Sequence, residues 1–95
     1  MKRVIETMLI AGCLALSAAA FAQSGEEVAK SKCLVCHAVD QKKVGSSFKE
    51  VAAKYKGDRS AEARLLGVLK DGKGHPKIDA PDAQLKAVVQ YVLKQ

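Results

Sequence analysis

Cys33-Leu34-Val35-Cys36-His37 is the stretch that decides how this chain is read. Two thiols three positions apart, followed directly by an imidazole, form the attachment signature of a c-type haem. Each thiol adds across one porphyrin vinyl group to make a thioether. The adjacent imidazole then lies beneath the ring, where it can ligate the iron. The motif predicts one covalent haem c, with thioethers at Cys33 and Cys36 and His37 as proximal axial ligand. It also predicts one-electron transfer rather than chemistry on a substrate, so no enzyme is expected.

Two other uses of a Cys-x-x-Cys pair fit less well. A structural zinc site takes four Cys or His ligands. Downstream of the motif only His75 remains as a candidate, and Cys36 and His37 are adjacent, which rarely lets both reach one ion. A thioredoxin-like redox pair belongs in a βαβ pattern. No convincing strand pattern is present.

Upstream, the chain opens with a targeting pattern. Lys2 and Arg3 give a basic start, Met8 to Ala20 is an apolar run broken only by Ser17, and Ala20-Phe21-Ala22 has the small-x-small form of a cleavage site. The run is shorter than a membrane span requires. The expectation is a signal peptide over 1–22 and a mature domain over 23–95, exported to the periplasm. Ile10-Ala11-Gly12-Cys13 is the competing signal, since it resembles a lipobox that would place a lipid on Cys13. The residues after Cys13 stay apolar, whereas a lipoprotein turns polar there, so cleavage after Ala22 is preferred. On that reading the mature chain keeps only Cys33 and Cys36, and both serve haem.

A domain of this size buries little of its own surface and needs a staple, which a covalent porphyrin provides. It also explains the thin aromatic supply downstream of the cleavage site, which is Phe48, Tyr55 and Tyr91. The full chain carries a net charge of +6; without Lys2, Arg3 and Glu6 there are 14 basic and 9 acidic residues, a net +5. No nucleic-acid-reading motif accompanies the charge, so an acidic protein partner is the better expectation.

Four helical patterns follow. Ser24-Gly25-Glu26-Glu27 reads as a capping box opening a helix to about Cys33. After a turn-rich loop over 39–47, Phe48, Val51, Ala52 and Tyr55 recur on one helical face, and Lys56-Gly57-Asp58 ends it. A third helix opens near Ser60, with Ala61, Leu65, Leu66, Val68 and Leu69 as its buried side. Asp71-Gly72-Lys73-Gly74 stops it. Pro81 suits a first helical position, and Leu85, Val88, Val89 and Val92 form the clearest amphipathic stripe. The fold expected is all-α: a single small domain of about four helices wrapped around haem.

With these pieces in place the chain resembles a small class I bacterial cytochrome c of the c-551 type. The resemblance runs through Cys33-Leu34-Val35-Cys36-His37-Ala38-Val39-Asp40, Lys43-Val44-Gly45, Phe48-Lys49-Glu50-Val51-Ala52-Ala53-Lys54-Tyr55 and the last helix through Tyr91-Val92-Leu93. It implies an electron carrier whose iron is held by one His and one Met. Here the chain departs, because its methionines are Met1 and Met8, both in the segment expected to be removed.

In the family the ligand Met precedes a Pro and sits sixteen residues before the aromatic of the last helix. That register falls on His75, followed by Pro76. The loop before it is shorter than in relatives and lacks the usual Trp. The resemblance therefore implies His75 as distal axial ligand. An open or water-bound sixth position is the main rival, and Lys73 or Lys77 a weaker one. Relatives also use a loop carbonyl to accept a hydrogen bond from the proximal imidazole, and that role maps to Ser46, which replaces the usual Pro. Imidazole in place of a thioether favours ferric iron, so the potential is expected below that of ordinary relatives. Lys42, Lys43, Lys73 and Lys77 flank the ligands and can form a basic rim for an acidic redox partner, the protein working as a monomer or as a subunit of a redox complex. The alternative function is a haem sensor or enzyme with an open or exchangeable sixth position.

Overall fold

The computed structural model describes residues 24–95. The expected signal segment, and Cys13 within it, lies outside the described residues. Four helices follow in order: α1 Gly25–Lys32, α2 Phe48–Lys54, α3 Ala61–Asp71 and α4 Asp82–Leu93. Among the described residues there is no strand, so the domain is all-α. No described helix is long and apolar enough to cross a membrane.

Local chemistry accounts for each boundary. Ser24 accepts from the Glu27 N–H while the Glu27 carboxylate accepts from the Ser24 N–H, a complete capping box. Ser47 and Glu50 repeat the device at α2, a Ser-x-x-Glu pattern not singled out above. Gly72 ends α3 in the left-handed region at φ 72°, where its N–H donates to the Val68 carbonyl. Pro81 stands one position earlier than expected, as the N-cap of α4, with Asp82 as the first helical residue. Between α2 and α3, the Asp58 carboxylate accepts from the Ser60 hydroxyl and N–H and pairs with Arg64. Those bonds, the Ser60 hydroxyl first, hold Asp58 below the usual carboxylate range.

Helix α4 is the hub. Each of α1, α2 and α3 packs on α4, and Val28 and Ala29 of α1, Phe48 of α2 and Val88 of α4 form one buried cluster. The buried residues reflect this: Val28 and Ala29 of α1, Phe48 of α2, Ala61 of α3, and Leu85, Val88 and Val89 of α4. The α1–α4 crossing is close because Gly25 has no side chain. A Cβ there would lie 2.2 Å from the Ala87 carbonyl oxygen and 2.6 Å from Tyr91 Cβ. The weakly apolar α1 thus puts its two apolar residues where they count. Leu65, Val68 and Leu69 of α3 and Val92 of α4, expected in the core, are only half-buried. They face the space that α1, α2 and α3 leave between them.

Candidate haem site

That space is a cavity of about 470 Å³, within the range of roughly 300–1,000 Å³ common for cofactor-sized sites. Its walls are mainly apolar, with Val51, Leu65, Val68, Leu69, Val89 and Val92 among them. Cys33, Cys36, His37 and His75 all open onto it. An apolar slot with two thiols at one edge and two imidazoles suits a porphyrin plate held by thioethers and axial nitrogens.

The motif sits in a turn just past α1. Cys33 N–H and Leu34 N–H both donate to the Ala29 carbonyl, and Cys36 N–H and His37 N–H to the Cys33 carbonyl. The backbone therefore winds on for one more turn and presents both thiols and the imidazole to the cavity. Two bonds from the next loop hold it. The Gly45 N–H donates to the Cys36 carbonyl at 2.7 Å, and the Lys43 ammonium donates to the Leu34 carbonyl at 2.9 Å. Cys33 and Cys36 are free, half-buried thiols. Burial pushes the Cys33 thiol up, which favours its neutral form.

His37 is held on three sides. Its Nδ1–H donates to the Ser46 carbonyl at 2.6 Å. The Phe48 ring lies 5.5 Å away at 26°. Gly45 passes against the ring edge, where a Cβ would come within 2.4 Å of Cε1 and 2.9 Å of both ring nitrogens. A carbonyl only accepts, so Nδ1 carries the shared proton and Nε2 is the ring nitrogen left to face a metal. The bond also fixes the orientation of the ring.

His75 stands across the cavity in the loop between α3 and α4. Its Nδ1–H donates to the Pro76 carbonyl at 2.7 Å, which again leaves Nε2 as the nitrogen without a protein partner. The two imidazole rings are 6.0 Å apart, centre to centre, and 16° from parallel. Two metal–nitrogen bonds of about 2 Å, with about 1 Å from each nitrogen to its ring centre, separate two rings sharing one metal by about 6 Å. The spacing fits one iron between them.

Lys73 and Lys77 flank His75 and are exposed; neither lines the cavity. Lys42 is exposed, whereas the Lys43 ammonium is engaged by Leu34. Sequence reasoning missed Gly45, Phe48 and the Pro76 carbonyl as neighbours of the imidazoles. A glycine in a turn-rich loop gives no sign of what it passes, and a backbone acceptor carries no residue signature.

Comparison with known proteins agrees with the geometry. A family model described as cytochrome c oxidase, cbb3-type, subunit III, matches residues 20–92. Cytochrome c-551 of Allochromatium vinosum is 42% identical over 72 residues, spanning 67% of this chain and 77% of the relative. Cytochrome c-551 of Azotobacter vinelandii is 40% identical over 79 residues, spanning 75% of this chain and 96% of the relative. Among solved structures, the class 1 cytochrome MtoD of Sideroxydans lithotrophicus ES-1 superposes with a TM-score of 0.65 at 32% identity, covering 74% of this chain and 90% of that one. The chain therefore belongs to the small class I cytochromes c, non-enzymatic electron carriers that hold one covalent haem c.

Proposed function

We propose that this protein is a periplasmic one-electron carrier whose haem is bound through Cys33 and Cys36 and ligated by His37 and His75. The observation that carries the ligation is the facing pair of imidazoles, 6.0 Å apart, each with Nδ1 tied to a carbonyl and Nε2 left free. Haem iron, when bound, supplies the ferric–ferrous couple. The chain's own residues do the rest. Cys33 and Cys36 fix the porphyrin edge. His37 and His75 would hold the iron through their ring nitrogens. Ser46 and Pro76 carbonyls make both rings stronger donors, which stabilises the ferric state and lowers the potential. Val51, Leu65, Val68 and Val92 line the cavity with apolar surface and would keep water from a bound haem.

Export is supported by the basic start, the apolar run and the Ala20-Phe21-Ala22 site, with cleavage after Ala22. Mass measurement of the mature N-terminus tests it; a lipid on Cys13 would replace the free form with a tethered one. Exposed Lys42, Lys73 and Lys77 near the site favour an acidic redox partner.

Absorption and low-temperature EPR spectra, with and without carbon monoxide, test the ligation. The wild-type protein gives a low-spin ferric signal and no carbon monoxide adduct. His75→Ala turns high-spin and binds carbon monoxide. A variant that stays low-spin with an unchanged spectrum removes His75 as ligand, and an open wild-type iron turns the reading towards a sensor or enzyme.

A further inference from the structure

We propose that Pro76 is a positioning residue for the distal imidazole, holding His75 nearly parallel to His37 and so setting the electronic symmetry of the ferric iron. The inference rests on His37 and His75 being the two axial ligands.

The two rings are restrained unequally. The plane of His37 is set by the Ser46 carbonyl, the Phe48 ring and the close passage of Gly45. The ring of His75 has a single hydrogen bond, from Nδ1 to the Pro76 carbonyl at 2.7 Å. That acceptor is well fixed. The pyrrolidine ring locks φ of Pro76. Two residues on, the Ile78 N–H donates to the Leu69 carbonyl at 2.9 Å and ties the loop to the end of α3. On the other side the loop folds tightly over Gly72, where a Cβ would meet Lys77 Cβ at 3.2 Å and the His75 carbonyl at 3.3 Å. The carbonyl is thus held from both directions and aims the ring to within 16° of its partner.

The orientation matters because each imidazole donates π density perpendicular to its own plane. Two aligned rings act on the same iron d orbital and separate it from its neighbour. Two crossed rings act on both alike and leave them close in energy. Aligned planes give a rhombic low-spin ferric signal with three resolved g values. Crossed planes give one very large g value.

The test is low-temperature EPR of the ferric holoprotein and of Pro76→Ala, which keeps the carbonyl but frees φ. The wild-type spectrum is expected to be rhombic. In Pro76→Ala the absorption spectrum stays low-spin, while the EPR lines broaden and the largest g value moves upward. A wild-type low-spin signal with one very large g value overturns the alignment and leaves two-imidazole ligation standing. A Pro76→Ala spectrum identical to a rhombic wild type overturns the role of Pro76. A high-spin wild type overturns the ligation itself and this inference with it. A Pro76→Ala protein that fails to hold haem also overturns the positioning role, since aiming the ring of His75 leaves thioether attachment intact.

Discussion

At the residue scale, Gly45 does the most with the least. Its missing side chain lets the loop pass against His37 while its own N–H donates to Cys36 and the next carbonyl, from Ser46, meets Nδ1. A methyl group at 45 must displace either the ring or the loop, so Gly45→Ala costs both packing and the Ser46 bond. The expected loss is about 1–3 kcal/mol of holoprotein stability from overpacking, read by denaturant titration. With His37 ligating the iron as proposed, the potential is expected to rise in the same variant, because a weakened Nδ1 bond would make the ring a poorer donor to ferric iron. A variant as stable as the wild type and with its potential would mean that the ring moves aside freely. Cys33, Cys36 and His37 are legible from sequence as a motif, because haem attachment through two thioethers demands that local spacing. The carbonyls that orient the imidazoles are not, since every residue carries one and only folding brings the right one within reach.

At the scale of elements, helix existence follows from periodicity and punctuation. Ser24 and Glu27 announce α1, Gly72 closes α3 and the Val88, Val89, Val92 stripe marks α4. Ser47 at the head of α2 is buried and has both partners of its capping box satisfied. Ser47→Ala should cost about 1 kcal/mol, seen as a lower denaturation midpoint. Gly67 lies within α3 with nothing near the position of a Cβ. Gly67→Ala should therefore stabilise the protein by up to about 1 kcal/mol through helix propensity alone. A lower midpoint in Gly67→Ala would mean that the open space beside it belongs to the cofactor. The α3 residues show where periodicity stops being informative. Leu65, Val68 and Leu69 sit on an apolar side as expected, yet remain half-buried, because that side also lines the cavity.

At the scale of the whole molecule, α1, α2 and α3 each pack on α4 and leave an apolar cavity beside it. If haem fills that cavity as proposed, the porphyrin completes the core. Replacing both thiols, Cys33→Ala with Cys36→Ala, removes the covalent hold. The expected product loses haem and, with it, cooperative unfolding and the near-ultraviolet circular dichroism of fixed packing, while keeping part of its helical signal. An apoprotein that unfolds cooperatively would show that the α4 contacts suffice. The surplus of positive charge acts at this scale too. Electron-transfer rates with an acidic partner should fall as ionic strength rises, and rates indifferent to salt would remove steering by the lysine rim.

The sequence by itself determined the cofactor, the helices and the family, because each rests on local spacing: thiols three apart, apolar residues at helical period, caps at helix ends. It also singled out His75 by register with the last helix. Only the tertiary structure decided which helix is the hub, how closely Gly25 lets α1 approach it, and which backbone carbonyls meet the two imidazoles. Those features depend on contacts between segments far apart in the chain, made by backbone atoms and by the absence of side chains, and neither leaves a mark on the order of residues.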